Sequence, residues 1–500
     1  MNMSILKNLG EPEEFWDYFE RISAIPHCSR YEERIRSFIK DEAEKFGFET
    51  LVDKVGNLAI FIPAKTSQKE KCILQCHMDM VCEKNESVIH DFSKDPLKLK
   101  IMDIDNEEWI TADGTTLGAD NGTGICYLLA IMKKIYNDTV KFNSLSLELL
   151  FTVREEYDMG GAKNINKDLM DGKYLINLDS GRDGMITIGC TGGIGFIAKI
   201  KTKPISVEQI DEKVKPIKIT LKGLIGGHSA GDINRGRAHA INLLCQILWK
   251  LNNDYLIYIS SINGGSAANA IPREANAIIY IKREHFSEIE SKINLFFTEI
   301  KKNYEGIEEN MQILIDEIGV QTEDTVFSSE IQSRLLNLLY IIPNGPISTH
   351  PKVRAYAFTS TNLGILKTKK DYVKLRMLHR SFSDYYNVNI CEKIMVLLEM
   401  SDLEMTKRIT GSYPPWTPNF NFGLLNLAKD TYKELFNKEA RIIFIQGGLE
   451  STLLIHLNPD IEAIAMGPTT KDVHSPNERL HVKSVENTWK FLNNILKKLD

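Results

Sequence analysis

The sequence predicts an α/β protein: a mixed sheet flanked by helices, interrupted by an inserted α+β domain. Three observations carry this. The short apolar runs NLAIFI, CILQCH, LELLFTV and YLINLD are each a few residues long. Several are apolar on both faces, as in strands buried on both sides of a sheet. Helical patterns such as NGTGICYLLAIMKKIYN lie between them, the alternation of a βαβ region. The texture changes near residue 203 and returns after about residue 405, which places an insertion between two halves of one domain.

In chain order, residues 1–204 form the first half of the catalytic domain. SRYEERIRSFIKDEAEKFG carries Tyr31, Ile35, Phe38, Ile39 and Ala43 at helical spacing, with Ser29 as a candidate cap. KTKPISVEQIDEKVKP is polar, holds two prolines and reads as a linker. Residues 205–405 follow as the inserted domain. Strand-like IKITLKG, helical RAHAINLLCQILWKL, strand-like AIIYIKRE and helical SEIESKINLFFTEIKKNYE form one series. MQILIDEI, SSEIQSRLLNLLYII, YVKLRMLHRS and EKIMVLLEM repeat that order, and Arg283 and Arg380 end comparable strands. Two copies of one α/β unit are expected. Residues 406–500 return to the first texture, with helical GLLNLAKDTYKELFN, strand-to-turn ARIIFIQGG and IEAIAMGP, and the amphipathic VENTWKFLNNILKKL. They are expected to rejoin the first domain.

Composition narrows the function classes. The 61 Lys and Arg against 67 Asp and Glu leave a net charge of −6, the wrong sign for a general nucleic-acid binder. No apolar run approaches the ~18–20 residues of a membrane span. The start, MNMSILKNLGEPEEFWDYFE, lacks the basic and apolar regions of a signal peptide, so a cytoplasmic location is expected. The eight cysteines include no CxxC pair, and no disulfide scaffold is expected. Cys72 and Cys76 read as buried core thiols.

Five apolar runs lead into metal-capable residues. CILQCHMDM carries His77 and Asp79, LGADNGTG Asp120, LFTVREEYDMGGA Glu155 and Glu156, LINLDS Asp179, and MGPTTKDVHSPNE His474. Singly, each has an ordinary reading: a core histidine, a helix cap, a solvated pair, a partnered carboxylate, a loop residue. Together they gather where α/β sheets place their sites, at the carboxyl ends of strands. His77 and Asp79, two apart on an extended segment, point the same way, so the carboxylate can hold the second imidazole nitrogen. Two histidines and several carboxylates suit zinc, cobalt or manganese in an open catalytic site. One carboxylate shared by two ions, with one left over as general base, would make a two-metal centre. Spacing does not say which of Glu155 and Glu156 is the ligand.

LQCHMDMV, LGADNGTGI, REEYDMGGA, NLDS, GGHSAGDI, NAIPREA and HSPNERL together resemble the M20 metallopeptidases, in order and over nearly the whole chain. HDFSKDPL, TLKGLIGGHS, NGPI, SYPPW and FIQGGLES extend the likeness to the dipeptide-cleaving branch of that family. The resemblance implies a zinc-peptidase-like catalytic domain with the inserted domain as a lid, and two divalent ions, zinc foremost. It implies His77 and Asp179 on one ion, Glu156 and His474 on the other, and Asp120 between them. Asp79 would orient His77, and Glu155 would carry the proton from water to the leaving amine. In the lid, His228 would stabilise the oxyanion, Asn269 would be a second donor and Arg380 would grip the substrate carboxylate. Glu450, in GGLES, would meet the substrate amine, or is a turn-end charge. The implied substrate is a dipeptide with both ends free, including Xaa-His, and the chain would act as a monomer or homodimer without nucleic-acid or membrane partners. The rival readings are an N-acyl amino acid deacylase or tripeptidase on the same centre, and an inactive peptide-binding relative.

Overall fold

A computed structural model describes residues 5–210, 213–319, 325–350 and 352–500. Residues 211 and 212 of the expected linker lie outside them. Contacts divide the chain into two compact units. One comprises Met1–Gly189, Pro418–Phe444 and Leu449–Asp500, and the other Cys190–Thr417 with Ile445–Gly448.

The first unit is built on an eight-stranded mixed sheet. Its order is Glu49–Val52, Leu58–Ile62, Leu145–Thr152, Glu70–His77, Tyr174–Asn177, Glu462–Ala465, Met185–Cys190 and Arg441–Ile445. The four central strands, from Leu145–Thr152 to Glu462–Ala465, are mutually parallel. They are apolar on both faces because helices cover both. Leu145–Thr152 is buried at every residue. Helix Ala119–Tyr136 is buried almost throughout its first thirteen positions, and Tyr127 packs against Phe15 with ring centroids 4.7 Å apart. The strand Glu462–Ala465 comes from the far end of the sequence and pairs in parallel with Tyr174–Asn177.

The N-terminal helix expectation needs correction at its start. The helix runs Glu33–Lys45 with Ile35, Ile39 and Ala43 fully buried, whereas Tyr31 lies before it and is exposed. Ser29 is not its cap; the hydroxyl bonds Asp79 instead.

The expectation about cysteines also fails at one point. Cys28 and Cys82 form a disulfide with Cα atoms 5.7 Å apart, and the other six are buried and outside any disulfide. Fifty-four residues separate the pair, so no local motif announces it. The bridge ties residues 27–29, already hydrogen-bonded to Met80 through His27 and Ser29, to the loop after the strand Glu70–His77. Disulfides are rare in a reducing cytosol. A thiol titration of denatured, unreduced protein is expected to find six reactive cysteines, and eight after reduction. Eight before reduction would show that the bridge does not form.

The second unit holds a nine-stranded antiparallel sheet. Along its path lie Gln312–Glu317, Val214–Lys222, Ala275–Lys282, Ile257–Gly264, Val353–Thr368, Tyr372–Ser381, Gly192–Lys201 and Met405–Tyr413. Gly345–His350 pairs with Val353–Thr368 off that path. Two βαββαβ units meet edge to edge here. The first runs Val214–Lys222, Ala240–Asp254, Ile257–Gly264, Ala275–Lys282, Phe286–Lys302 and Gln312–Glu317. The second runs Gly192–Lys201, Ser329–Ile341, Val353–Thr368, Tyr372–Ser381, Asp384–Met400 and Met405–Tyr413. Strand order within each is fourth, first, third, second, mirrored across the junction.

The duplication is therefore cut differently from the sequence expectation. Gln312–Glu317 closes the first copy rather than opening the second, because it pairs with Val214–Lys222. The second copy opens at Gly192–Lys201, and the first is inserted after it. This moves the unit boundaries to about 190 and 417, against the expected 205 and 405. Gly192–Lys201 and Met405–Tyr413 pair with each other and belong to this sheet. No helix among the described residues is long and apolar enough to cross a membrane.

Candidate functional site

The parallel strands of the first unit deliver their polar residues to one sheet end. His77 closes Glu70–His77 and lies opposite Thr152. Glu155 and Glu156 open a short helix three residues after Thr152, and Asp179 follows Tyr174–Asn177 by two. Asp120 lies at the start of helix Ala119–Tyr136, just after Gly118 at φ 69°. That positive φ strains any side chain, and a Cβ at Gly118 would also stand 2.8 Å from the Met80 sulfur, so the turn favours glycine. His474 sits on a loop held by a four-stranded sheet, in which Arg479–His481 pairs with Glu107–Ala112.

These side chains converge. His77 Nε2 lies 3.1 Å from Asp120 Oδ1 and 3.8 Å from Asp179 Oδ1. His474 Nε2 lies 3.4 Å from Asp120 Oδ2 and 2.7 Å from Glu156 Oε1. The two oxygens of Asp120 thus face two different histidines, and each histidine has a further carboxylate of its own. Donor atoms of His77, Asp120 and Glu156 all lie within 4.8 Å of one another, close enough to hold one metal ion. A group of carboxylates this tight, with imidazoles aimed into it, is the donor set a divalent cation requires.

The protonation pattern says the same. Burial opposes charge on both His77 and Asp120. Asp120 overcomes it for His77, holding the imidazole well above its usual value, and His474 followed by His77 overcomes it for Asp120, holding the carboxyl well below. Asp120 and Glu156 lift His474 to about 11. Asp179 is pushed well up by burial and then by Asp120. Burial, joined by the charges of Glu450, Glu156 and Asp120 and resisted by His77, raises Glu155 to about 8. A metal ion binds a histidine through a neutral ring nitrogen, so ion binding at these residues would be coupled to proton release.

Asp79 has a broader task than the sequence suggested. The atom nearest His77 Nδ1 is its backbone oxygen, at 2.9 Å, with the carboxylate at 3.6 Å. An Nδ1–H donated there leaves Nε2 as the free ligating atom. The carboxylate itself accepts from the Ser29 hydroxyl at 2.6 Å and from the amides of Glu155 and Glu156 at 2.9 and 3.2 Å. One buried aspartate therefore sets the backbone of both glutamates. Glu32 adds a second hold, accepting from the amides of Arg30 and Arg154 at 2.9 and 3.0 Å.

Glu450 departs from expectation. It is fully buried at the start of helix Glu450–Leu457. Its Oε2 accepts from Gln75 Nε2 at 2.8 Å and from the Thr152 hydroxyl. A carboxylate enclosed under the strand ends offers a substrate amine no approach. Gln75 in turn accepts from Asn177 at 2.6 Å, so a polar row lies one layer beneath His77 and Asp179.

His228, Asn269 and Arg380 lie in the second unit. His228 and Asn269 are neighbours: Gly227–His228 pairs with Ala270–Ile271, and the Ser229 amide donates to the Asn269 oxygen at 2.8 Å. His228 Nδ1 accepts from the Ala230 amide at 3.2 Å, which puts the proton of a neutral ring on Nε2. Arg380 is buried on Tyr372–Ser381 and donates from Nη1 to the Tyr413 hydroxyl. Its Nε has no hydrogen-bond partner among the described residues, and no carboxylate there pairs with it. Gly193 makes room for the Tyr413 ring, which a Cβ would meet at 2.7 Å.

Sequence reasoning missed Ser29, Glu32, Glu478 and Tyr413. Glu478 and Tyr413 sit inside the family-like segments HSPNERL and SYPPW, whereas Ser29, legible only as a candidate helix cap, and Glu32 fall in none of those segments.

Comparison with known proteins agrees with this geometry. Residues 73–498 match the model of peptidase family M20/M25/M40. The cytosol non-specific dipeptidase of Escherichia coli K12 is 34% identical over 499 residues, which is 99% of each chain. The solved aminoacylhistidine dipeptidase of Vibrio alginolyticus superposes with a TM-score of 0.86 at 31% identity, over 98% of this chain and 97% of that one. A tripeptidase from Staphylococcus aureus shares the fold at 16% identity, with a TM-score of 0.56 over 99% of both chains. A paired ligand set at the strand ends, with these matches along its whole length, makes this chain a member of peptidase family M20/M25/M40.

Proposed function

We propose that this chain is a cytoplasmic dipeptidase, hydrolysing dipeptides with free amino and carboxyl ends at a two-metal centre. The observation that carries the reading is Asp120, whose two oxygens face His77 and His474 separately. His77, Asp179 and one Asp120 oxygen would hold one ion. His474, Glu156 and the other oxygen would hold the second, with zinc the best fit to the donors and cobalt or manganese able to replace it. When bound, such ions polarise the scissile carbonyl and make water acidic enough to attack at neutral pH.

The remaining steps belong to side chains. Glu155 takes the proton of the attacking water and passes it to the departing amine. Asp79 and Ser29 hold Glu155 in place through its backbone. His228 offers an Nε2–H to the oxygen that gains charge, with Asn269 beside it as a second donor. Arg380, buried and with no carboxylate partner among the described residues, supplies a site for the substrate's free carboxylate. The sequence and structural likeness to two dipeptidases supports a dipeptide over the deacylase and tripeptidase readings.

The test is a substrate panel on metal-reconstituted protein: free dipeptides including Xaa-His, C-terminally amidated dipeptides, tripeptides and N-acetyl amino acids. The free dipeptide should lead its amide by roughly 10²-fold or more in kcat/KM, because an empty clamp leaves a buried charge unpaired. Arg380→Met should narrow that gap. His228→Ala should slow both substrates about equally, since both pass through the same oxyanion. An unchanged preference for the free carboxylate in Arg380→Met would remove Arg380 from the role, and faster turnover of acetyl amino acids would overturn the dipeptidase reading.

A further inference from the structure

We infer that Glu478 is a positioning residue for the metal centre, acting as a strut that sets Asp120 relative to His474. The inference rests on the two-metal reading of the site.

Glu478 follows His474 by four residues, and its own backbone is fixed. Its amide donates to the Ser475 oxygen at 3.0 Å, and its carbonyl accepts from the Thr111 hydroxyl at 2.7 Å. The residue after it enters the strand Arg479–His481, with Arg479 opposite Thr111. The side chain is only 2% exposed. No lysine, arginine or histidine among the described residues pairs with it. Instead the carboxylate accepts three backbone amides of the turn that bears Asp120. Oε2 takes Leu117 N–H at 2.8 Å and Gly118 N–H at 3.1 Å, and Oε1 takes Asp120 N–H at 3.2 Å.

The two loops that meet here have no reason in sequence to do so, since 358 residues separate Asp120 from Glu478. One carries the shared carboxylate and the other carries His474. Asp120 must present one oxygen to each histidine at once, so small rotations of its backbone spoil both contacts. A side chain that grips Asp120 by its own amide, from the loop that holds His474, fixes that rotation. Outer partners of ligands commonly change metal affinity by ~10–100-fold when lost. A helix cap alone would also account for the bonds, because the turn opens helix Ala119–Tyr136. The two roles differ in what they control: a cap sets stability, a strut sets metal affinity.

The experiment uses full-length, metal-free protein titrated with cobalt(II), read by its visible absorption and by competition with a chelator. It is run well below the melting temperature, with melting recorded separately. In Glu478→Gln the amide keeps one acceptor oxygen but turns an NH₂ toward a backbone N–H. Glu478→Asp keeps the charge but falls one methylene short. Each is expected to bind cobalt at least fivefold more weakly than the wild type while its circular dichroism is unchanged. If one variant does not fold, the other decides. Affinity within fivefold of wild type, even with a lowered melting temperature, would make Glu478 a cap and overturn the strut. Wild-type protein that takes up fewer than two cobalt equivalents would instead overturn the two-metal reading, and this inference with it.

Discussion

Glu155→Gln is expected to bind both ions as the wild type does and to turn over dipeptides at least ~10²-fold more slowly. The side chain keeps its shape and loses only its capacity to take a proton. Its amide remains a donor to Asp79 Oδ1 at 2.9 Å, so the turn that also carries Glu156 should not move. His77, Asp120, Asp179, Glu156 and His474 are all left intact. Metal analysis and steady-state kinetics on one preparation separate the two effects. The loss should fall on kcat rather than KM, because the proton moves only in the transition state. Near-normal turnover at full metal content would assign the base elsewhere.

Asp120→Ala is expected to lose ions and activity together. Each histidine would keep a single carboxylate neighbour, Asp179 for His77 and Glu156 for His474, so each set of three donors falls to two. Since every ~1.4 kcal/mol is tenfold in affinity, loss of a charged ligand common to both sets should weaken binding by more than ~10²-fold. The variant should contain well under two ions per chain after dialysis, and its residual rate should rise with added metal. Two full sites by elemental analysis would show that Asp120 is not shared.

These two variants probe positions that stood out in the sequence, and the reason is local. A strand buried on both faces is a largely apolar run, and metal-capable residues that follow such a run stand at its end. His77, Asp179 and the Glu155–Glu156 pair were legible on that ground, before any knowledge of neighbouring strands. Cys72 and Cys76 beside His77 were legible too, as core thiols. Many secondary elements followed from the period of their apolar residues, as in Ile35, Ile39 and Ala43 of one helix, whereas Glu13–Ser23, Gly192–Lys201, Val353–Thr368 and Met405–Tyr413 were not read as elements.

Partnership did not follow. Backbone hydrogen bonds are blind to side-chain identity, so an apolar strand announces that it pairs but not with which strand. For that reason Gln312–Glu317 read as the start of a second copy, although it completes the first, and Gly192–Lys201 read as part of the catalytic half. The same limit hid the supports of the site. Ser29 precedes a helix and so resembles a cap, yet its hydroxyl serves Asp79, fifty residues away. Cys28 meets Cys82 only because two loops are laid side by side. Glu450, in a glycine turn that suggested an exposed charge, is enclosed beneath Gln75 and Thr152. The sequence by itself determined which residues could bind a metal, because that chemistry resides in single side chains at strand ends. The tertiary structure decided which residues hold them still, because that depends on distances between segments that the chain brings together only when the sheet is complete.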